Sequence, residues 1–559
     1  MNGAHITTPS RWGLTLLFGM LAVRIFVGVD LTDEIQYYYQ ISGFVGTRSL
    51  LSNDLYIQQF IYVVFYPIFK LHELIFNQTG LILYGRFVYS ICLLGLYVFA
   101  DRQLRRAGIA PMVAGLTSFV LCFAPSYHGL FAISYNTVSQ IGWCVTAVLL
   151  AFRVMAPAHT WALIIVLTGL AHPVSGVAIA LIFSIDQISR RQLGAIIRTA
   201  GMAILFAAIL GALIIWLSGG LENVFRAFRF TSGFSIGSAL SDRNTLAYSG
   251  LFAILILTAG FAPTLRKSSQ VMVYILTALL VIFVLLLLRS HFDNLSKPGW
   301  QYAYGRKHLA MWVIIACATL YTVRTCVTAD AGIQSILRRL MAVLSLQSLV
   351  LAGTSSNGLG QAIGAFAVFV PLVAALFGNT ALLPIAPWIM RAPIFCIVLL
   401  VTLITICLPY RQKPLYAFDR GVSDVPMFAG LMISQPVLRF ADDARKEILP
   451  FLPGQSGLLL SRLPGFYPIL SVAPKTCMIY NHSLGSDASK RALLKCLSEQ
   501  SLPFVAYIQP AELNQSDLAI LQLLGNLSTK LDLNCETRTL RFSVPPPEVS
   551  ASTQMTMCQ

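Results

Sequence analysis

The sequence predicts an α-helical polytopic membrane protein of about thirteen spans, followed by a small extracytoplasmic α/β domain. Three observations predict it. Hydrophobic residues make up 56% of the 559 and charged residues 11%, with a mean hydropathy of +0.72, far from the soluble average. Apolar runs recur at lengths that cross, or nearly cross, a ~30 Å hydrocarbon layer at about 1.5 Å per residue. Lysine and arginine gather in every second loop, the distribution that sets membrane topology. A net charge of +16 would point to nucleic acid in a soluble chain, but here much of it serves topology, and no nucleic-acid partner is expected.

The first run, residues 12–29, contains one arginine, Arg24, and lacks a small-residue cleavage site. It therefore reads as a retained span and not a removed signal peptide. Residues 28–40 follow, and they place an adjacent acidic pair, Asp33 and Glu34, at the membrane–water boundary. Asp30, Gln36, three tyrosines and Gln40 lie within one or two helical turns. Acidic groups flank many spans as solvated residues, whereas ionisable groups at the membrane are commonly functional. The density of polar company favours function here.

The remaining spans are expected at 81–100, 108–124, 130–151, 160–173, 175–188, 197–217, 248–264, 270–289, 309–327, 339–353, 361–378 and 391–409. Arg102, Arg105 and Arg106; Arg153; Arg190, Arg191 and Arg198; Arg266 and Lys267; Arg338 and Arg339; and Arg391 mark the cytoplasmic side. That alternation requires a cytoplasmic N-terminus, an acidic pair outside, and a stretch 56–76 that does not cross. Gln58, Gln59, Pro67, Lys70, His72 and Glu73 interrupt this stretch, which suits a helix pair at the interface. Positive charge also occurs in two long outer loops: Arg226, Arg229 and Arg243 in one, Lys297, Arg306, Lys307 and His308 in the other. Long loops tolerate such charge; the functional alternative is an anionic ligand, and a lipid phosphate fits best.

After Pro409 the composition changes. Short apolar runs at 457–460, 478–480 and 504–508 alternate with helix-like stretches at 441–448 and 490–497, giving a globular α/β domain over 411–545 and a disordered tail over 546–559. An odd number of spans puts this domain outside. Cys477, Cys496, Cys535 and Cys558 lie beyond the membrane part, so a disulfide fits an oxidising compartment, with the pairing left open. No phosphate-binding P-loop, His-Glu-x-x-His or Gly-x-Ser-x-Gly occurs, which leaves an ATPase, a zinc protease of that type or an elbow-type serine hydrolase without support. The run 353–360, Gly-Thr-Ser-Ser-Asn-Gly-Leu-Gly, reads as a turn.

One span, an outer loop with Thr32-Asp33-Glu34 and a tyrosine shortly after, an interfacial segment containing Asn53-Asp54 and Gln58-Gln59, and Gly85-Arg86 entering the next span together resemble the GT-C superfamily of integral-membrane glycosyltransferases. The layout is closest to the protein O-mannosyltransferases and the lipid A aminoarabinose transferase. The resemblance implies transfer of a sugar from a polyprenyl-phosphate carrier to a glycan, lipid or protein acceptor on the outer side of the plasma (inner) membrane. It implies Asp33 as the base and Glu34, about 100° away on a helix, in a different catalytic task. Asp54 would hold a metal or order the lipid phosphate, with Tyr37, Gln58 and His172 at the substrate and Arg226, Arg229, Arg306 and Lys307 at the carrier phosphate. The departing phosphate needs cationic groups or a divalent metal. No Asp-x-Asp follows the first span, and Ser134-Tyr135-Asn136 stands where a second metal carboxylate would be sought, so metal dependence stays open. The alternative is a transporter or flippase for lipid-linked or anionic substrates, against which stand the lack of paired repeats and the gathering of polar groups on one side. A polymerase or ligase for lipid-linked glycans would share substrate and layout and differ in its acceptor.

Overall fold

In the computed structural model, helices come first and a small sheet last. It describes residues 11–47, 57–126, 129–232, 331–354, 420–474 except 455, 504–510, 534–546 and 549–558, with scattered positions at 364–376 and 511–525. The helices are α1 (Arg11–Phe26), α2 (Asp33–Thr47), a 3₁₀ helix (Ile57–Phe65) continuing into α3 (Tyr66–Phe76), α4 (Leu81–Arg106), α5 (Pro111–Phe123), α6 (Tyr135–Ala151), α7 (Ala158–Ala171), α8 (Pro173–Ser189), α9 (Leu193–Leu217), α10 (Leu221–Ser232), α11 (Ala331–Thr354) and α12 (Gln435–Ile448). Asp54, Arg306 and Lys307, the expected spans at 248–264, 270–289, 309–327 and 391–409, and the runs 478–480 and 490–497 lie outside the described residues.

Among the described residues three helical stretches are long and apolar enough to cross a membrane: Ile57–Phe76, Leu81–Arg106 and Leu193–Leu217. Gly13–Phe26, Pro111–Ser126, Ala158–Ala171 and Pro173–Ser189 are apolar but shorter. The expected count of about thirteen is therefore not reached there. The physical reason is local: prolines 111, 157 and 173 and the loops beside them cut the apolar runs into helices of 13 to 17 residues.

The bundle has two chemically different ends. At one, Arg105 pairs with Asp101 on α4, Arg190 pairs with Asp186 on α8, and Arg339 of α11 donates to the Ala151 carbonyl that closes α6. Among the described residues, the basic groups that close α4 and α8 and those of α11 thus lie at a single end. The other end holds the start of α4, the α1–α2 loop, the start of α6 and the α7–α8 junction. The stretch 57–76, although long enough to cross, belongs to this second end. Near its start Phe60 packs edge-on against Phe228 of α10, which follows the far end of α9 from the basic residues; near its finish His72 stacks on Tyr84 in the first turn of α4. Both contacts tie it to this end of the bundle, while its length and apolar composition, against the interfacial expectation, are those of a candidate span.

The C-terminal part is built on a five-stranded mixed sheet ordered β4 (Ala473–Pro474), β3 (Ser456–Leu460), β5 (Val505–Ile508), β7 (Ser552–Cys558), β6 (Cys535–Arg541). β3 runs parallel to β4 and β5, while β7 is antiparallel to both neighbours. On α12, Val437, Phe440, Ala441, Ala444 and Ile448 are buried at helical spacing, with a proline in the first turn and Arg445 and Lys446 in the last. Residues 552–558 correct the expected disordered tail. Their alternation buries Thr553, Met555 and Met557 on one face, and pairing on both edges satisfies the backbone, so a polar-looking terminus becomes an interior strand. Cys535 and Cys558 face each other across β6 and β7 and form a disulfide.

This sheet domain is docked on the α1–α2 loop. The Gly28 N–H donates to the carbonyl of Met432, in β2 (Met432–Ser434), at 2.8 Å, and the Gly465 N–H donates to the Leu31 carbonyl at 2.8 Å. Tyr467 meets Tyr39 of α2 edge-on, and one continuous apolar core runs from Leu31 and Tyr39 into Phe428, Phe466 and Tyr467. A Cβ at Gly465 would stand 2.8 Å from Leu31, so the close approach needs glycine.

Candidate functional site

The α1–α2 loop is an electrostatic box. Asp30 accepts from the Thr32 amide and hydroxyl through Oδ1 and from the Glu34 amide through Oδ2, while the Asp30 amide donates back to Glu34 Oε2 at 3.0 Å. These reciprocal bonds start α2 in the manner of a capping box, an arrangement worth about 1 kcal/mol. Arg86, one turn into α4, donates from Nε and Nη2 to the two Glu34 oxygens at 2.8 Å each. Its other bonds reach the carbonyls of Ile25, Val27 and Gly28, so all five N–H donors are used. Arg24 donates to the Val27 and Gly129 carbonyls and lies over the ring of Phe131. Arg24, Asp30, Glu34 and Arg86 are each no more than 3% exposed, and their two positive and two negative charges balance. A buried pair of this kind survives only when its hydrogen bonds are complete.

Glu34 therefore differs from the sequence expectation. As a catalytic residue it would need free oxygens near the substrate; here both are bound and sealed, and its task is to position the loop. Asp33, the next residue, points from a different face of α2. It is partly exposed and has no hydrogen-bond or ion-pair partner among the described residues. Asp33, Gln36, Tyr37 and Gln40 recur at i, i+3, i+4 and i+7 and so share one side of the helix. Along that side Tyr37 packs edge-on against Tyr135, Asn136 Nδ2 donates to the Tyr37 hydroxyl at 3.3 Å, and the Tyr62 hydroxyl donates to Gln40 Oε1 at 3.3 Å.

Tyr135 and Asn136 reach α2 because Ser134 and Thr137 form a reciprocal capping box that fixes the first turn of α6. Their contribution was missed in the sequence, where the stretch registered only as lacking a carboxylate; the Ser-x-x-Thr spacing was the available signal. Tyr38, on the opposite side of α2, lies where any side chain at Gly85 would stand, since a Cβ there would fall 2.0 Å from its ring. That glycine lets α4 bring Arg86 to Glu34.

The 3₁₀ helix closes a second side. Gln58 Oε1 and Gln59 Nε2 are buried there without hydrogen-bond partners among the described residues. Through the Phe60–Phe228 contact this element meets α10, whose backbone carries Arg226 and Arg229 three residues apart, on one side of the helix. The structure thus brings Asp33, Tyr37, Gln58 and the helix bearing Arg226 and Arg229 to the same end of the bundle.

His172 is a correction. It closes α7 and caps α8: Nδ1 accepts from the Ser175 amide at 3.2 Å and faces the Ser175 hydroxyl at 2.9 Å, which itself accepts from Trp143 Nε1. Nε2 then donates to Thr354 Oγ1 at 3.0 Å, and the Thr354 hydroxyl donates to the Val350 carbonyl. Both ring nitrogens have hydrogen-bond partners, so His172 ties α7, α8 and α11 together, where a substrate contact was expected.

Among the described residues no group of three or more His, Cys, Asp or Glu side chains could hold a metal ion. Asp30 and Glu34 accept from the loop and from Arg86, whereas Asp33 has no hydrogen-bond or ion-pair partner among the described residues. Asp54, the residue expected to hold a metal or order the lipid phosphate, lies outside the described residues. No protein-family model matches the chain, and no curated protein matches it.

Proposed function

We propose that the chain is a GT-C-like membrane glycosyltransferase that takes a sugar from a polyprenyl-phosphate carrier and passes it to a hydroxyl or amine of an extracytoplasmic glycan, lipid or protein. The observation that supports this reading best is the division of labour between two adjacent carboxylates. Glu34 is sealed against Arg86, and Asp33 is held beside it, partly exposed and uncommitted. A neutral hydroxyl is a poor nucleophile, and a positioned carboxylate accepts its proton as the new glycosidic bond forms and the carrier phosphate departs with the electron pair. Tyr37 and Asn136 line the same side of α2 as Asp33, and Gln58 Oε1 and Gln59 Nε2, which have no hydrogen-bond partner among the described residues, suit sugar hydroxyls.

The carrier phosphate is assigned to α10. Phe225 and Phe228 of this helix are about half exposed, and Arg226 and Arg229 lie between and beside them. Such a helix suits an interface at which a lipid-borne phosphate arrives sideways.

The test is to incubate purified, inserted protein with polyprenyl-phosphate sugars and to follow label into lipid, glycan and protein fractions. Transfer that is lost in Asp33→Asn supports the proposal. No transfer into any fraction, together with carrier movement across proteoliposome membranes, would replace it with the flippase reading.

A further inference from the structure

The last turns of α4 lie at the opposite end of the bundle from Asp33. A groove on this helix is lined, among the described residues, by Ile91, Leu94, Gly95, Val98, Arg102 and Arg106, with Phe99 and Gln103 on its flank. Ile91, Gly95, Val98, Arg102 and Arg106 follow one another at three- and four-residue intervals, so they form a single stripe along the helix. The stripe changes chemistry once: apolar for about two turns, then two guanidinium groups one turn apart. Ile91 is 68% exposed, and an added Cβ at Gly95 would meet nothing within 4 Å.

The two arginines differ from their neighbours. Arg105 is paired with Asp101, whereas Arg102 and Arg106 are exposed and have no hydrogen-bond or ion-pair partner among the described residues. Gln103 Oε1 beside them is buried without a partner among the described residues. A ligand matching this surface is long, apolar over the length of Ile91 to Val98, and anionic at one end.

We infer that the groove binds an anionic phospholipid, its acyl chain along Ile91, Gly95 and Val98 and its phosphate between Arg102 and Arg106. Charge complementarity selects a headgroup with net negative charge over a zwitterionic one, and the continuous apolar floor selects a lipid over free phosphate. The inference rests on the membrane reading of the chain and is independent of sugar transfer. A lipid held here would anchor the basic end of α4 at one membrane surface, and so fix the depth at which Arg86, five turns away on the same helix, meets Glu34.

The experiment uses the full chain. Carbonate-resistant sedimentation with membranes first establishes insertion; failure at that step would refute the membrane reading. Inserted protein is then placed in nanodiscs of phosphatidylcholine containing a small fraction of phosphatidylglycerol, and the phosphatidylglycerol retained per protein after detergent extraction is counted by native mass spectrometry. Each of Arg102→Gln and Arg106→Gln should weaken retention about fivefold, at roughly 1 kcal/mol per surface cation. Gly95→Phe, which fills open space, should displace the lipid while leaving both charges in place. Arg191→Gln and Arg198→Gln, also at the basic end but off the stripe, should change nothing. Equal losses for all four arginines would reduce the effect to diffuse surface charge. Equal retention of phosphatidylcholine, or displacement by millimolar inorganic phosphate, would overturn the assignment.

Discussion

Arg86 holds Glu34 through two parallel N–H···O bonds of 2.8 Å, across 52 residues of sequence and in nearly complete burial. The carbonyl of Ile25 in the last turn of α1 and those of Val27 and Gly28 in the α1–α2 loop take the rest of the guanidinium, so this one side chain sets the height and direction at which α2 begins.

Removal of one partner from such a pair leaves an uncompensated buried charge. Glu34→Gln should cost about 3–5 kcal/mol of stability, and Arg86→Lys should not behave conservatively, because an ammonium cannot reproduce five fixed donors. Thermal unfolding in detergent checks this. Both variants should show depressed midpoints, with residual activity tracking the folded fraction. A fully stable but slow Glu34→Gln protein would return that residue to the chemistry.

Asp33 should behave in the opposite way. Asp33→Asn removes a charge that no described residue compensates, so stability should change by less than about 0.5 kcal/mol. Turnover at saturating carrier should fall on the order of 10²–10⁴ if the residue is a general base. Near-equal rates in folded, inserted protein would exclude it as the base.

The two ends of α4 give a topological expectation. Arg105 lies at the basic end, while Arg420 begins β1 (Arg420–Val422), which pairs antiparallel with β2, the strand whose Met432 carbonyl accepts from the Gly28 N–H. Reporter fusions at residues 105 and 420 should therefore report opposite sides of the membrane. The same side at both would break the link between basic loops and topology.

The last strand should be indispensable to the C-terminal domain. Truncation before Ser552 removes pairing to both β5 and β6, and the domain should become protease-sensitive. Cys535→Ser with Cys558→Ser, which opens a loop of 23 residues, should cost about 3 kcal/mol. Limited proteolysis and non-reducing peptide mapping read both effects. A truncated domain that resists protease would restore the disordered-tail expectation.

His172→Ala should act on structure alone. It strips the cap from α8 and leaves Ser175 and Thr354 without their shared partner, a loss of about 1–3 kcal/mol. Turnover per folded molecule should be unchanged. A large fall in kcat with an unaltered unfolding midpoint would place the imidazole at the substrate.

Composition and periodicity were enough to fix the helical class, the gathering of arginines at alternate loops, the C-terminal change to mixed strands and helices, and the acidic loop as the centre of the chain. Those features are local: hydropathy, loop charge and turn chemistry act within a few residues and leave their mark in order along the sequence. Which carboxylate is free and which is sealed was not local. Asp33 and Glu34 are neighbours of nearly equal chemistry, and they part only because a helix places Glu34 on the side where Arg86 arrives past Gly85. The same holds for residues 552–558, whose polar composition hides a strand until β5 and β6 come to lie on its two edges, and for His172, whose ring is completed by Thr354 from 182 residues away. Partners separated by 50 to 200 residues meet only when the chain has closed on itself, and the burial that then removes water decides which polar groups stay reactive.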